Sequence, residues 1–357
     1  MTQFFNRYYP TVSLRRGEMR AFEKLVDSEK QKMLPIVLLA PWLNSIKFQN
    51  SFNIIEKSIG NQPIIVDLDR YYASSSTLES REYFWSLLDN DVGPCNWMKL
   101  IEEHKNYIPC LQFLKIDEKL FVSQLDWARK LGRGFCIRFE LGMLPDNFVV
   151  GDFLSKIKVN DDCLVAVDFG YQDYSEPLSN EIKSLIGDIL AISPEFKIVV
   201  SGSNFPNDFS DYDNFSRSQP NAARQVYDEI KAQYDNYSVF FGDWASTKPR
   251  KYDGHGSPPR PRIDYPVTSR WIMARSKSEK WTFQDAAIRI TRLPEWENRP
   301  KIWGTGIIEK TALGQSGGIK AHPEVIAARI NIHLFVQANA NAPNPPSQPK
   351  GKWKDPI

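Results

Sequence analysis

The chain has 357 residues, 42% of them hydrophobic and 13% aromatic, a composition that excludes a disordered chain and leaves ample material for a core. Its formal net charge of +2 excludes a strong global attraction to nucleic acid or to a membrane surface, so such a partner would need a local patch. No run approaches the roughly 18 apolar residues of a membrane-spanning helix.

Eight short apolar runs recur along the chain, and most of them end at a polar or charged residue. They are residues 8–14, 34–40, 63–68, 107–113, 134–139, 163–169, 196–200 and 238–241. Short runs bounded by turn residues predict strands, and helix-like stretches separate them. Strands that alternate with helices form parallel βαβ units, so the sequence predicts an α/β fold, a (β/α)8 TIM-like barrel.

Apolar residues at helical spacing predict the outer helices of this barrel. They cover residues 18–28, 52–59, 77–88, 119–131, 148–157, 180–192 and 222–234. An additional helix is predicted at 97–104 in the third connection, and a polar loop at 204–219 in the seventh.

After the eighth strand the regular pattern stops. A basic, proline-rich loop, 246–261, leads to two predicted hairpin arms, 262–265 and 269–274, and we interpret 246–277 as an insertion over the barrel mouth. A helix at 283–293, a flexible glycine-rich connector at 304–318 and a helix at 323–338 follow. Residues 1–338 are expected to form a single domain, and the low-complexity residues 339–357 a disordered tail.

Charged residues cluster where the predicted strands end. This set, our candidate catalytic residues, comprises Arg16 and Glu18 after the first strand, Asp67 and Asp69 at the third, Arg138 and Glu140 at the fifth, Asp168 at the sixth and Asp243 at the eighth. TIM-like barrels carry their active sites at the C-terminal ends of the strands. Converging carboxylates could bind Mg²⁺ or Mn²⁺, and the arginines could hold a phosphate. Alternatively, Arg138 pairs with Asp67 or Asp168 and the network only fixes loop geometry, while Glu18 only complements a helix dipole.

The seventh strand ends in Ser201, Gly202 and Ser203, a candidate phosphate-binding turn whose alternative is a tight βα turn. None of the four histidines, His104, His255, His322 and His333, ends a predicted strand. This pattern argues against a histidine-rich zinc hydrolase and against a phosphodiesterase with paired histidines. His255, on the basic loop, could still act as a general acid.

The segment 248–277 holds eight lysines and arginines against two aspartates. Its arginines and aromatic residues could bind nucleic acid through phosphate pairing and stacking. Arginine and tryptophan are also enriched at the energetic centres of protein interfaces, so we favour a protein partner, with Arg260, Arg262, Arg270 and Trp271 as candidate contacts.

Four cysteines without a CxxC pair predict reduced core thiols. The N-terminal residues lack the apolar segment of a signal peptide. Together with the absence of a membrane span, these features predict a cytoplasmic protein.

Three motifs resemble the bacteriophage "beta protein" family. They are YYPTVSLRRGEMRAF at 8–22, PIIVDLDRYY at 63–72 and PPRPRIDYPVTSRWIMARS at 258–276. The resemblance implies a phage, satellite or prophage gene product encoded beside a toxic gene. It also implies an association with abortive-infection or antiviral defence loci, where such a protein restrains or cooperates with a partner. It supplies no catalytic residues.

We therefore expect a component of a phage-defence or toxin–antitoxin system that acts through a protein partner encoded nearby, or through a phosphate-bearing ligand at the barrel mouth. The alternative is a hydrolase or phosphodiesterase that acts on nucleotides or nucleic acid with Mg²⁺ or Mn²⁺. A nucleic-acid-binding regulator is a third possibility, which predicts a steep dependence of affinity on salt.

Overall fold

The computed structural model describes residues 4–5, 7–114, 117–146, 148–158, 160–206, 209, 217–250 and 260–340. The strands are β1 (Tyr9–Ser13), β2 (Ile36–Leu39), β3 (Ile64–Leu68), β4 (Tyr107–Pro109), β5 (Phe135–Glu140), β6 (Cys163–Tyr171), β7 (Lys197–Ser203), β8 (Arg217–Pro220), β9 (Val239–Asp243), β10 (Arg262–Val267) and β11 (Arg270–Arg275).

The helices lie between these strands and after them. They are α1 (Arg16–Glu23), α2 (Asp27–Lys30), α3 (Gln49–Ile59), α4 (Glu79–Leu88), α5 (Gly93–Glu103), α6 (Glu118–Leu131), α7 (Val150–Leu154), α8 (Glu176–Ile192), α9 (Ala222–Gln233), α10 (Phe283–Thr291), α11 (Pro294–Glu297), α12 (Trp303–Ala312) and α13 (His322–Ala338). No helix in the described ranges is long and apolar enough to cross a membrane.

Eight parallel strands form the barrel in the order β4-β3-β2-β1-β9-β7-β6-β5. The gap between β4 and β5 is spanned by a parallel bridge between Cys110 and Cys136. The amide of Leu111 donates to the carbonyl of Cys136 at 2.8 Å in this bridge. The predicted (β/α)8 barrel is confirmed, and each of the eight predicted runs overlaps one of its strands, although β5, β6, β7 and β9 extend beyond the predicted ends.

The barrel strands are apolar on both faces, as expected for parallel strands covered by helices. One set of side chains, including Leu38, Ile65 and Val199, fills the barrel interior. The alternate set, including Val66 and Val165, packs against the surrounding helices. This double burial explains why the strands read as continuous apolar runs.

The segment between β9 and α13 builds a second, smaller core. The predicted hairpin is confirmed, since β10 and β11 pair antiparallel, and β8 adds a third strand that the polar sequence did not predict. Helices α10, α12 and α13 cover this sheet. Helix α13 joins both cores, because Ile330 packs with the barrel and Ile332 with the smaller sheet.

One expectation for this segment is wrong. The glycine-rich stretch 304–318, predicted as a flexible connector, contains most of helix α12. Ile308 is buried in the smaller core, and this packing stabilises a helix that two glycines would otherwise disfavour. His255, most of the basic loop and the tail residues 341–357 lie outside the described residues.

Candidate functional site

Four charged side chains meet inside the C-terminal end of the barrel. We call Asp67 of β3, Arg138 and Glu140 of β5 and Asp168 of β6 the strand-end cluster. Residues two apart on a strand face the same side, so Arg138 and Glu140 both point inward, and Glu140 lies opposite Asp168 in the β5–β6 register. All four side chains are buried.

Arg138 is surrounded by the three carboxylates. Its Nη1 donates to Oδ2 of Asp67 at 3.2 Å, while its Nε and Nη2 donate to Oδ2 of Asp168 at 3.1 and 2.8 Å. Oε2 of Glu140 lies 2.9 Å from Nη2. Each nitrogen of the guanidinium therefore has an acidic partner. The structure thus shows the ion pairs of Arg138 with Asp67 and Asp168 that were the alternative to a catalytic site.

Neighbouring side chains occupy the remaining carboxylate oxygens. Tyr71 donates to Oε1 of Glu140, and the indole of Trp244 donates to Oδ1 of Asp168 at 3.1 Å. Gln112 donates to Oδ1 of Asp67 at 3.0 Å and accepts a hydrogen bond from Arg70. These contacts fix the carboxylates in place.

Asp69, the second acid of the third strand, lies outside this cluster. Its Oδ2 is 2.5 Å from Nε of Arg250, and its Oδ1 accepts from the amide of Tyr71 at 3.2 Å. Arg250 also donates to the carbonyl of Leu14 at 2.9 Å. Arg250, seven residues after the end of β9, thus reaches the barrel mouth and pairs with Asp69.

Burial shifts the protonation behaviour of the cluster. Burial alone would lower the pKa of Arg138, but the three carboxylates hold that pKa above its ordinary value. Burial raises the pKa of Glu140 even though Arg138 opposes the rise. Burial and the adjacent Glu140 also raise the pKa of Tyr71. Glu140 therefore binds a proton more readily than an ordinary glutamate.

A small cleft formed by described residues reaches the cluster. A cleft of about 20 Å³, lined by Asp67, Arg138 and Glu140 among others, has room for little more than one water molecule. The donor set also does not suit a divalent cation, because the carboxylates converge on the Arg138 guanidinium. In the described part of the chain, no three acidic, histidine or cysteine side chains are arranged to hold a metal ion.

The structure does not bring the other candidate catalytic residues into this cluster. Asp243 points outward from the barrel, where its carboxylate accepts from Tyr8 and lies 2.6 Å from Nε2 of His333 on α13. Glu18 pairs with Arg15 at 2.7 Å, and Arg16 is exposed at the start of α1. The charged residues at the predicted strand ends therefore do not form one group. Three acids and one arginine meet inside the barrel, and the others lie elsewhere.

The candidate phosphate-binding turn is tightly packed. A Cβ on Gly202 would lie 2.1 Å from the ring of Phe169, so this glycine is required by packing. Ser203 donates to the carbonyl of Thr247, and Ser201 is buried with no hydrogen-bond partner among the described residues. These contacts favour the alternative of a tight βα turn.

The candidate partner residues divide into two groups. Arg262 and Trp271 are buried, and Arg262 pairs with Asp264, so neither side chain lies at the surface of this structure. Arg260 is exposed, and Arg270 reaches the surface, where it pairs with Glu295 at 2.7 Å. Both faces of the hairpin are packed, since Ile272 lies in the smaller core and Trp271 packs with Phe205, whereas Arg260 precedes β10 and Arg270 is the first residue of β11.

Sequence reasoning missed several residues that complete the site. Tyr71 and Trp244 follow immediately after strands whose ends were already candidates, a position that could have nominated them. Arg250 lay in the basic segment but was not connected with Asp69. Its long-range contact spans 181 positions, which no local pattern reveals.

Known proteins are similar to this chain over most of its length. The profile of the Beta protein family matches residues 8–339. The chain is 27% identical over 341 residues to "Protein beta" of Enterobacteria phage P4, an alignment that covers 92% of each chain.

Proposed function

The chain belongs to the Beta protein family, and we propose that it is the partner-binding component of a phage-defence or toxin-neutralising system. The observation that carries this proposal is the enclosure of Arg138 by Asp67, Glu140 and Asp168. The charges at the barrel mouth already pair with one another. This arrangement favours a rigid scaffold over an active site, because none of these charges is left to bind substrate.

The charge balance of the strand-end cluster also argues against a phosphate-bearing ligand there. Three carboxylates face one guanidinium, so a phosphate would meet repulsion and would have to displace buried ion pairs. Removing one partner of such a buried pair costs about 3–5 kcal/mol. Of the two modes of action that we expect from the sequence, the geometry therefore favours the protein partner.

Two arginines at opposite ends of the β10–β11 hairpin are candidate contacts for such a partner. Arg260 is exposed and the side chain of Arg270 retains 40% exposure, although it pairs with Glu295. Arginines at a rim contribute to the rate and specificity of association through complementary charge. The expected partner is thus a protein with an acidic contact surface.

The experiment that tests this proposal is co-expression with the protein encoded by the adjacent toxic gene. We expect the two proteins to co-purify and the chain to relieve growth arrest. The variant Arg270→Glu should weaken both effects, whereas Arg16→Glu, on the exposed start of α1, should not. Failure of the wild-type chain to bind or protect would overturn the proposal.

A second candidate, a hydrolase of nucleotides or nucleic acid, is favoured by one observation. Burial raises the pKa of Glu140, which lines the cleft at the barrel mouth, and this is a property of general acids. Release of phosphate or nucleoside from a nucleotide panel, assayed with and without Mn²⁺ and abolished in Glu140→Gln, would establish this candidate.

A further inference from the structure

A groove of about 410 Å³ lies on the outer side of the smaller core, along helix α12. We call it the α12 groove. Its apolar surface is formed by Ile302, Trp303, Ile307 and Leu313, and Gly306 lies among them. This volume falls within the range of about 300–1,000 Å³ that is typical of ligand-binding clefts. It is far larger than the cleft at the strand-end cluster.

No neighbouring atom within the described residues requires a glycine at position 306. A Cβ built on it would meet no atom within 4 Å, although glycine in the middle of a helix weakens the helix. Gly304 in the same helix is different, because a Cβ there would lie 2.7 Å from the carbonyl oxygen of Ala328. The packing of α12 on α13 thus requires Gly304, whereas the missing side chain at Gly306 only keeps the groove open.

The groove also exposes apolar surface. Leu313, just after α12, keeps 64% of its surface exposed, which ties it with one other residue as the most exposed of the large hydrophobic side chains described. Trp303 is half-buried at the opposite end of the helix. Apolar side chains seated along the groove would remove this surface from water, which is favourable at about 25 cal/mol per Å².

Charges around the groove select the kind of occupant. Arg299, Lys301 and Lys310 line it together with one acid, Glu309. Glu309 pairs with Arg299 at 2.6 Å, and Lys301 is exposed. The rim therefore carries more positive than negative charge and is complementary to a segment rich in carboxylates.

The short helix α11 lies between the groove and Arg270. Glu295, the partner of Arg270, belongs to the short helix α11. Arg299 stacks over Trp296 of the same helix, with its guanidinium carbon 4.9 Å from the ring centroid, and also lines the groove. A protein that contacts Arg270 can therefore extend along α11 into the groove.

We infer that the α12 groove is the docking site for an acidic segment of the partner protein, which inserts a large apolar side chain over Gly306. This inference rests on the proposed function and deepens it. The apolar side chain of the partner would contact α12, and its carboxylates would contact Arg299 and Lys301.

The test uses a short fluorescein-labelled peptide in which two central leucines are flanked by glutamates. A second peptide has lysines in place of the glutamates. Each is titrated by fluorescence anisotropy into the full chain, into Gly306→Leu and into Gly151→Leu. Gly151 is a matched control, since it is also a helical glycine and its Cβ would make only ordinary contacts at 3.9 and 4.0 Å.

We expect the acidic peptide to bind the wild-type chain and Gly151→Leu equally, and to bind Gly306→Leu at least tenfold more weakly. The lysine peptide should bind none of them measurably. Equal binding by Gly306→Leu, preference for the lysine peptide, or absence of binding by the wild-type chain would overturn the inference. Binding of the fatty acid decanoate in place of the acidic peptide would overturn the assignment to a protein segment.

The same variants separate this inference from the proposed function. If the co-expressed partner binds Gly306→Leu as tightly as the wild-type chain, the docking site is wrong and the proposed function stands. If no partner binds the wild-type chain while the acidic peptide still distinguishes Gly306→Leu, the groove stands and the proposed function fails.

Discussion

Arg138 of β5 donates to Asp67 of β3 at 3.2 Å, although strand β4 lies between their strands in the barrel. The contact crosses the seam where β4 and β5 are joined by a single bridge outside the named strands. The ion pair therefore ties together strands that the backbone connects only weakly. This position gives the strand-end cluster a structural role whatever else it does.

Replacement of Arg138 by methionine should strongly destabilise the fold. It leaves three buried carboxylates without their cation, and such a loss costs about 3–5 kcal/mol in the free energy of unfolding. The loss should be smaller at pH 5 than at pH 8, because Glu140, whose pKa burial already raises, can take up a proton. Urea unfolding at both pH values measures this, with exposed Arg16→Met as a control; a loss under 1 kcal/mol would contradict the structural role.

Asp243→Asn should remove part of the acid sensitivity of the fold. Burial alone would raise the pKa of Asp243, but His333, Tyr8 and the amide of Ala245 lower it overall. A folded pKa below the unfolded value of about 3.9 gives stability that is present above that value and is lost as pH falls through the folded pKa.

The variant should therefore unfold more easily at pH 7, by about 1.5–3 kcal/mol for a hydrogen-bonded charged group, and the difference should shrink below about pH 4. Urea unfolding between pH 7 and pH 3 measures this change. Asp152→Asn, an exposed carboxylate on α7, is the control. A difference that stays constant across this range would show that the lowered pKa of Asp243 contributes nothing to folding.

The two glycines of α12 should respond in opposite directions to alanine. Gly304→Ala forces a methyl group against Ala328 and Ile332, and overpacking of this kind costs about 1–3 kcal/mol. Gly306→Ala meets open space and should raise the free energy of unfolding by about 0.5–1 kcal/mol, because alanine favours the helix. Thermal and urea unfolding of both variants measure the signs. Destabilisation by Gly306→Ala would mean that a contact inside the chain requires this glycine.

The barrel could be predicted from the sequence because each parallel strand is buried on both faces and reads as an uninterrupted apolar run. For the same reason, the sequence could not show which face of β9 carries Asp243. Its neighbours Phe240 and Phe241 are both apolar and face opposite sides of the strand, so alternation alone could not show that Asp243 faces α13. Asp67 had the same ambiguity, and the structure places it inward.

The region after β9 shows a different limit of sequence reasoning. Glycines at 304 and 306 predicted a connector, but the helix forms because Ile308 is buried and Gly304 allows close approach to α13. The hairpin was predictable from its own alternating residues. The burial of Arg262 and Trp271 was not, because it depends on the layer packed against them.

The most direct test of the account compares Glu140→Gln with Arg270→Glu in one assay of partner binding and relief of toxicity. Both variants should fold, since Arg138 keeps Asp67 and Asp168 as partners in the first and the second lies at the surface. The account predicts that Glu140→Gln binds and protects like the wild-type chain, whereas Arg270→Glu loses at least tenfold in affinity. Loss of protection in Glu140→Gln with full activity in Arg270→Glu would contradict it and would assign the function to the barrel mouth.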